Sequence, residues 1–262
     1  MSDAVVVIGG GTMGVGIAEV LLDAGADVTV VEPNEAVADR VRDRLGDRAG
    51  LTVTDAVASP IEPVLVVEAV PEDLALKQRV LPGIEGFVPP DCVIASNTSS
   101  LSIDAIATSL ARPERFIGMH FFNPVPKSLL VELVVGQATD PTTTTQAADW
   151  VQRLGKEHIE VRDSPGFATS RLGLAIGLEA IRMVEDGVAS AEDIDRGMVL
   201  GYKFPTGPLK LTDLVGLDVR LAIAEHLARE LGPRFEPPEL LRRKVANGEL
   251  GKKSGKGFYE WS

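Results

Sequence analysis

Residues 4–25, AVVVIGGGTMGVGIAEVLLDAG, set the fold of the chain. Five apolar residues, Ala4–Ile8, mostly β-branched, run straight into three glycines. Beyond the glycines Ile17, Val20, Leu21 and Ala24 recur with helical period, so the order is buried strand, tight turn, amphipathic helix. Gly9, Gly11 and Gly14 have the spacing G-x-G-x-x-G. In that pattern the first glycine permits the turn, the second admits the backbone to a pyrophosphate, and the third lets the helix close on the strand. The helix N-terminus adds amides and a dipole that attract phosphate. A second strand pattern, Asp27–Val31, ends at Glu32, eighteen residues past Gly14. A carboxylate there accepts the ribose hydroxyls of adenosine and repels a 2′-phosphate, which points to NAD and not NADP.

Outward from this stretch come a charged helical pattern over 34–45 and a polar stretch to Pro63. Strand-like runs recur at 64–70, 92–95 and 116–119, with helical or turn-rich segments at 73–85 and 103–110 between them. Such alternation predicts an α/β, Rossmann-type, mainly parallel sheet. The link from Met119 to Val131 carries Pro124 and Pro126 and no helical pattern. It is too short for a crossover, so 131–135 is expected to turn antiparallel. A helix over 142–154 and a strand over 158–161 follow. Asp163-Ser164-Pro165-Gly166 then reads as a helix start, and 167–184 is apolar on nearly every side, the pattern of a buried helix that Gly187 can end. Ser190-Ala191-Glu192-Asp193 opens another helix as a capping box, and Leu217, Leu221, Ala224, Ala228 and Leu231 mark one more, stopped by Gly232-Pro233. Beyond residue 163 no strand pattern occurs. The expected division is a sheet domain over 1–162 that binds NAD and an all-helical domain over 163–262.

The 262 residues, 45% hydrophobic and 24% charged, have the composition of a soluble globular protein. A net charge of −12 argues against nucleic acid or an acidic membrane surface as partner, and obliges an anionic ligand to find local Lys or Arg groups. The single cysteine, Cys92, lies in the apolar run CVIA and reads as core in a reducing compartment. The first strand begins at residue 4, leaving no room for a signal peptide, and no apolar run reaches membrane-spanning length, so a cytoplasmic location is expected. His120, His158 and His226 are too scattered to suggest a metal site.

Three features fall where strands of such a sheet should end, on the edge where a nucleotide lies. They are Ser96-Asn97-Thr98-Ser99-Ser100, His120-Phe121-Phe122-Asn123-Pro124, and Glu132, twelve residues past His120. Hydride transfer from an alcohol needs a base for the hydroxyl proton, and histidine is suited to that near neutral pH. A carboxylate on its other ring nitrogen would orient it and stabilise the imidazolium. Each residue also has a plainer reading: Ser99, Ser100 or Ser102 as a helix cap, His120 as a hydrogen-bonded core residue. Glu132, inside the apolar run LLVELVV, is harder to explain structurally, because an unpaired buried carboxylate is costly, and His120 is its available partner.

The chain resembles the short-form L-3-hydroxyacyl-CoA dehydrogenases, the hydroxybutyryl-CoA type, over nearly its whole length. The resemblance is carried by GGGTMGVGIA, VVEAVPEDLALK, SNTSSLSI, HFFNPVP with the later LLVEL, DSPGFATSR, and LGKKSGKGFYEW. It implies that His120 is the general base or acid, Glu132 its orienting partner, and Ser99 the residue that bonds the substrate hydroxyl. Gly9, Gly11, Thr12, Met13, Gly14 and Glu32 would hold the adenosine diphosphate half of NAD. Glu72, Lys77, Asn97, Ser99, Asn123 and Lys253 would lie along the nicotinamide half. An acyl-CoA substrate and a homodimer formed by the helical domain are also implied.

Two departures qualify the substrate side. The family pattern PGF-x-x-N-R reads Pro165-Gly166-Phe167-Ala168-Thr169-Ser170-Arg171 here, so Ser170 would have to donate to the substrate carbonyl from a shorter arm. The lysine-bearing hairpin that helps grip coenzyme A is missing between Glu32 and Val64, and the 34–45 helix has no lysine. Arg40, Arg42, Arg44 and Arg48 would replace those contacts or simply form a solvated face. A hydroxyacyl-carrier protein or a free hydroxy acid is the alternative substrate class.

Overall fold

The computed structural model describes residues 2–57 and 62–261. The chain divides into two compact units, Met1–Ser164 and Pro165–Ser262. The first opens with β1 (Ala4–Ile8), α1 (Thr12–Asp23), β2 (Asp27–Val31), α2 (Glu35–Leu45) and β3 (Leu51–Thr54). It continues through β4 (Leu65–Glu68), α3 (Leu74–Glu85), β5 (Val93–Ser96), α4 (Ile103–Ala107), β6 (Phe116–Phe121), β7 (Leu130–Val135), α5 (Pro141–Arg153) and β8 (Glu157–Arg162). Among the described residues these strands form one eight-stranded sheet, ordered β3-β2-β1-β4-β5-β6-β7-β8. The strands from β3 to β6 pair in parallel. β7 runs antiparallel to β6, as the proline-bearing link predicts, and β8 runs parallel to β7.

The chain travels outward from β1 to β2 and β3, then returns to place β4 on the other side of β1. Strand order reverses there, and a crevice opens beyond the carboxyl ends at such a point. The fingerprint glycines sit at it. Gly9 has φ +102°, and a Cβ on it would meet the Ala69 carbonyl oxygen at 2.8 Å. A Cβ on Gly14 would come within 1.9 Å of the Gly9 carbonyl oxygen, so α1 can lie this close to β1 only with glycine at that position. Ile17, Ala18 and Leu21 on α1 then pack into the core beside Val5, Val7, Val28 and Val67. Cys92 is buried in this unit, and burial pushes its thiol up to about 12, which makes it inert.

The polar stretch between α2 and Pro63 contains a strand that its sequence pattern leaves unread: Leu51–Thr54 pairs with β2, while residues 58–61 lie outside the described residues. This strand is polar, only four residues long and at the sheet edge, so its backbone pairing leaves little hydrophobic pattern to read. The helical or turn-rich segment at 103–110 is a helix, α4, to Ala107 and a turn after it.

The second unit contains α6 (Thr169–Glu185), α7 (Ala191–Tyr202), α8 (Pro208–Val215), α9 (Leu217–Leu231) and α10 (Glu239–Ala246). Its core gathers Leu174, Leu178, Ile181, Leu209, Leu217, Ala224, Leu227 and Leu241. α6 begins at Thr169 and not at Pro165, because Gly166 and Phe167 take positive φ (+72° and +51°), which no α-helix admits. Nor is α6 buried all round: Leu172 is 64% exposed, and Ile176, one turn later, shares that face. Helices α8 and α10 have no counterpart in the periodicity argument, being only eight residues each. Ser190 accepts from Asp193 N at 3.1 Å and caps α7 as its box motif predicts. Beyond residue 163 the described residues hold only isolated bridges, Gly251 with Lys256 and Lys256 with Glu260.

Candidate active site

His120 and Glu132 face each other in the register of β6 and β7. Nδ1 of His120 lies 3.0 Å from Oε2 of Glu132, and both residues are buried. An ionised carboxylate only accepts, so in this contact Nδ1 is the donor. Phe122 packs against the imidazole, ring centroids 4.5 Å apart. The buried carboxylate inside an apolar strand thus has the partner the sequence requires.

β5 ends next to β6, and the SNTSS segment continues from it. Asn97 Oδ1 accepts from Phe121 N at 2.9 Å, fastening this segment beside His120. Glu72 Oε1 collects Thr98 Oγ1 (2.8 Å), Ser99 N (2.9 Å) and Oγ (3.2 Å), and Ser100 N and Oγ (both 3.1 Å). Burial alone would push the Glu72 carboxyl upward, but the Lys77 ammonium and these donors outweigh it and hold the group below the ordinary carboxylate range. Of the three serines that could cap α4, it is Ser102 that does so, accepting from Ala105 N at 3.1 Å. Ser99 and Ser100 are turned to Glu72 instead.

Lys77, in the first turn of α3, is buried, its Nζ 2.7 Å from Glu68 Oε1 and 3.7 Å from Glu72 Oε2. Glu68, fully buried at the end of β4, is a residue that motif reading passed over. The signal that exposes Glu132, a carboxylate inside an apolar strand, is equally present in LVVE. Asn123 lies in the loop after β6, which Lys156 secures by donating from Nζ to the carbonyls of Val125 (2.7 Å) and Ser128 (2.6 Å). Burial lowers the Lys156 ammonium below its ordinary value.

The glycine loop fits a dinucleotide. A Cβ on Gly11 would meet nothing within 4 Å, so that approach is open. α1 has no side-chain cap on its first-turn amides, which include those of Thr12 and Met13. Thr12 is exposed, whereas Met13 packs partly into the core. Glu32 is turned toward the loop, Oε2 accepting from Gly10 N at 2.8 Å and Oε1 from Asn34 N at 2.9 Å. The arginines after Glu32 serve differently. Arg42 pairs with Glu35 and Asp39, Arg44 with Glu19 and Arg48 with Asp23.

Ser170 and Lys253 belong to the second unit. Ser170 is the second residue of α6. Lys253 pairs with Asp218 at 2.6 Å in a tail that Asp213 anchors by accepting from Phe258 N, Tyr259 N and Trp261 Nε1. Burial raises the Asp218 carboxyl, but Lys253 and local amides outweigh it and lower the group overall.

A glycine cradle at the switch point of a doubly wound sheet, with a histidine–carboxylate dyad on the same edge, defines an NAD-dependent oxidoreductase. The family described as "3-hydroxyacyl-CoA dehydrogenase, NAD binding domain" matches residues 4–58 and 48–164, and "3-hydroxyacyl-CoA dehydrogenase, C-terminal domain" matches 166–261. The chain belongs to the 3-hydroxyacyl-CoA dehydrogenase family. It is 43% identical, over 286 aligned positions and the full length of both, to a 3-hydroxybutyryl-CoA dehydrogenase of Mycobacterium tuberculosis. A probable 3-hydroxybutyryl-CoA dehydrogenase of Bacillus subtilis is 39% identical, with 98% of this chain and 96% of the relative covered. The crystal structure of (S)-3-hydroxybutyryl-CoA dehydrogenase from Ralstonia eutropha superposes with a TM-score of 0.90 at 38% identity, covering all of both chains.

Proposed function

We propose that the protein oxidises a short-chain L-3-hydroxyacyl-CoA, of the hydroxybutyryl size, to the 3-oxoacyl-CoA, and catalyses the reverse reaction. The observation that carries this reading is the His120–Glu132 pair at 3.0 Å on the sheet edge shared with the glycine cradle. Bound NAD supplies the acceptor for the hydride that leaves C3. His120 Nε2 takes the hydroxyl proton, and Glu132 steadies the imidazolium through Nδ1. Ser99 positions the substrate oxygen. Gly9, Gly11, Thr12, Met13, Gly14 and Glu32 hold the adenosine side of the cofactor, and Glu72, Lys77, Asn97, Asn123 and Lys253 its nicotinamide side. Ser170 is assigned to the substrate carbonyl on family resemblance. That assignment stands if Ser170→Asn changes kcat/KM and falls if it does not.

The first unit is the cofactor domain in this reading, and the second carries substrate binding and dimerisation. Support for a homodimer comes from apolar side chains left exposed on three helices of the second unit: Leu172 and Ile176 on α6, Leu211, Leu214 and Val215 on α8, and Val219 on α9. The one cysteine, a buried thiol, suits a reducing cytoplasm. His120→Gln should abolish turnover while leaving NADH affinity and a dimeric sedimentation mass as in the wild type. Full activity would overturn the mechanism, and a monomeric mass would remove the dimer.

A second substrate class has its own support. The 286 aligned positions exceed the 262 residues of this chain, so the mycobacterial relative has residues that this chain lacks. The two matches to the NAD-binding family meet at 48–58, in the shortened stretch after Glu32. A carrier-protein thioester is therefore the alternative. Acetoacetyl-CoA should give the higher kcat/KM, and a strong preference for carrier-bound acetoacetyl would reverse the order of the two readings.

A further inference from the structure

The mechanism above makes no use of Glu68, yet this carboxylate accepts three hydrogen bonds at the carboxyl edge of the sheet. It is wholly buried at the end of β4, with Ile8 of β1 and Ser96 of β5 as its register neighbours. Oε1 accepts from Val70 N and from Lys77 Nζ, both at 2.7 Å, and Oε2 accepts from Ser96 Oγ at 2.6 Å. Its backbone oxygen takes Asn97 N at 2.7 Å. One residue thereby fixes the Lys77 ammonium, the turn after β4 and the first residues of the SNTSS segment.

We propose that Glu68 is a positioning residue of the active site, holding Lys77 and the SNTSS segment in the arrangement that receives the nicotinamide half of the cofactor. This rests on the assignment of Lys77, Glu72 and Ser99 to that half. Lys77 is a buried ammonium, and such a group requires a close counter-charge. Its other polar contacts are longer: the Val70 carbonyl at 3.3 Å and Glu72 Oε2 at 3.7 Å. With Glu68 neutralised, the nearest remaining carboxylate is Glu72, and Lys77 swings to it. Glu72 is then drawn off Thr98, Ser99 and Ser100, whose five donors it now gathers on Oε1. Glu68 thus holds Lys77 no closer than 3.7 Å to Glu72 Oε2, so that Oε1 of the second carboxylate remains available to the serines.

The test is a double-mutant cycle on the full chain, read by NADH fluorescence titration beside thermal melting. Glu68→Gln is expected to weaken NADH binding by roughly tenfold, the loss of one charge-assisted contact. Lys77→Met should weaken it comparably. The double variant should bind no worse than Lys77→Met, because Glu68 acts through Lys77, and it should melt no lower than either single variant, having no unpaired buried charge. A purely structural Glu68 would lower the melting temperature and leave NADH affinity of the folded protein unchanged. Wild-type affinity in folded Glu68→Gln, or losses that multiply in the double variant, would overturn the proposal. If Glu68→Gln does not fold, Ser96→Ala replaces it. That variant removes only the contact to Oε2 and should weaken NADH severalfold, and an unchanged affinity counts against the proposal. A wild-type chain that binds no NADH would instead strike down the cofactor reading beneath it.

Discussion

Lys77–Glu68 and Arg42–Glu35 span nearly the same distance, 2.7 and 2.8 Å, in two regions of one unit. The first pair has side chains 1% and 0% exposed, the second 44% and 72%. Equal geometry therefore conceals opposite energetics. A surface pair gains little, since water screens the attraction and two long side chains lose freedom. A buried pair costs several kcal/mol per ion to desolvate, of the order that an apolar replacement would avoid. Glu68, Lys77 and Glu132 carry charge inside this unit at the carboxyl edge of the sheet, while the Arg115–Glu85 pair and Lys156 are buried away from the proposed site. Around α2 the paired charges lie nearer the surface.

The largest test of that contrast is Glu132→Gln. It keeps the shape of the dyad but removes the charge that orients His120, and kcat should fall on the order of 10³- to 10⁴-fold with NADH affinity intact. Steady-state assays with acetoacetyl-CoA would read it, and an unimpaired kcat would mean that burial of this carboxylate serves packing alone. An intermediate effect is expected from acid. The native Glu72 carboxyl lies below its ordinary value of 4.5, so its stabilisation is full above that value and is lost as pH falls through the lowered native one. Melting curves of wild type and Glu72→Gln should accordingly differ most near neutrality and converge in acid; a gap that widens on acidification would contradict the sign. The smallest effect belongs to the surface. Arg42→Ala should leave the melting temperature and kcat essentially unchanged, and a loss of acyl-CoA affinity there would make the arginine face a substrate handle.

Most of the first unit was legible because its signals are local. Three glycines at fixed spacing, apolar runs alternating with helical periods, and a link with two prolines each dictate backbone geometry within a few residues. Glu132 was legible for a thermodynamic reason: an apolar strand cannot leave a carboxylate unpaired. The same reasoning applies to Glu68, whose partner Lys77 lies on another element and gives no periodic signal. Leu51–Thr54 is a strand only because β2 offers it an edge, and eight-residue helices such as Pro208–Val215 are stabilised by packing more than by their own pattern. Which serine caps α4 depended on where Glu72 lies, a tertiary fact. The start of α6 departs from its motif because proline suits a first turn, while positive φ at Phe167 is invisible in composition.

The reversal of direction between β6 and β7 puts both members of the dyad on one continuous hairpin, Phe116 to Val135. Closing so short a loop costs little chain entropy, and the cradle, Glu32, Lys77 and the SNTSS segment all precede it in the sequence. Synthesis from the N-terminus therefore delivers every first-unit site residue by the time Glu132 emerges, before any part of α6 has emerged. In the proposed function, a nascent chain can assemble the proton-handling half of its chemistry before the helix that carries Ser170 and the tail that carries Lys253 have emerged.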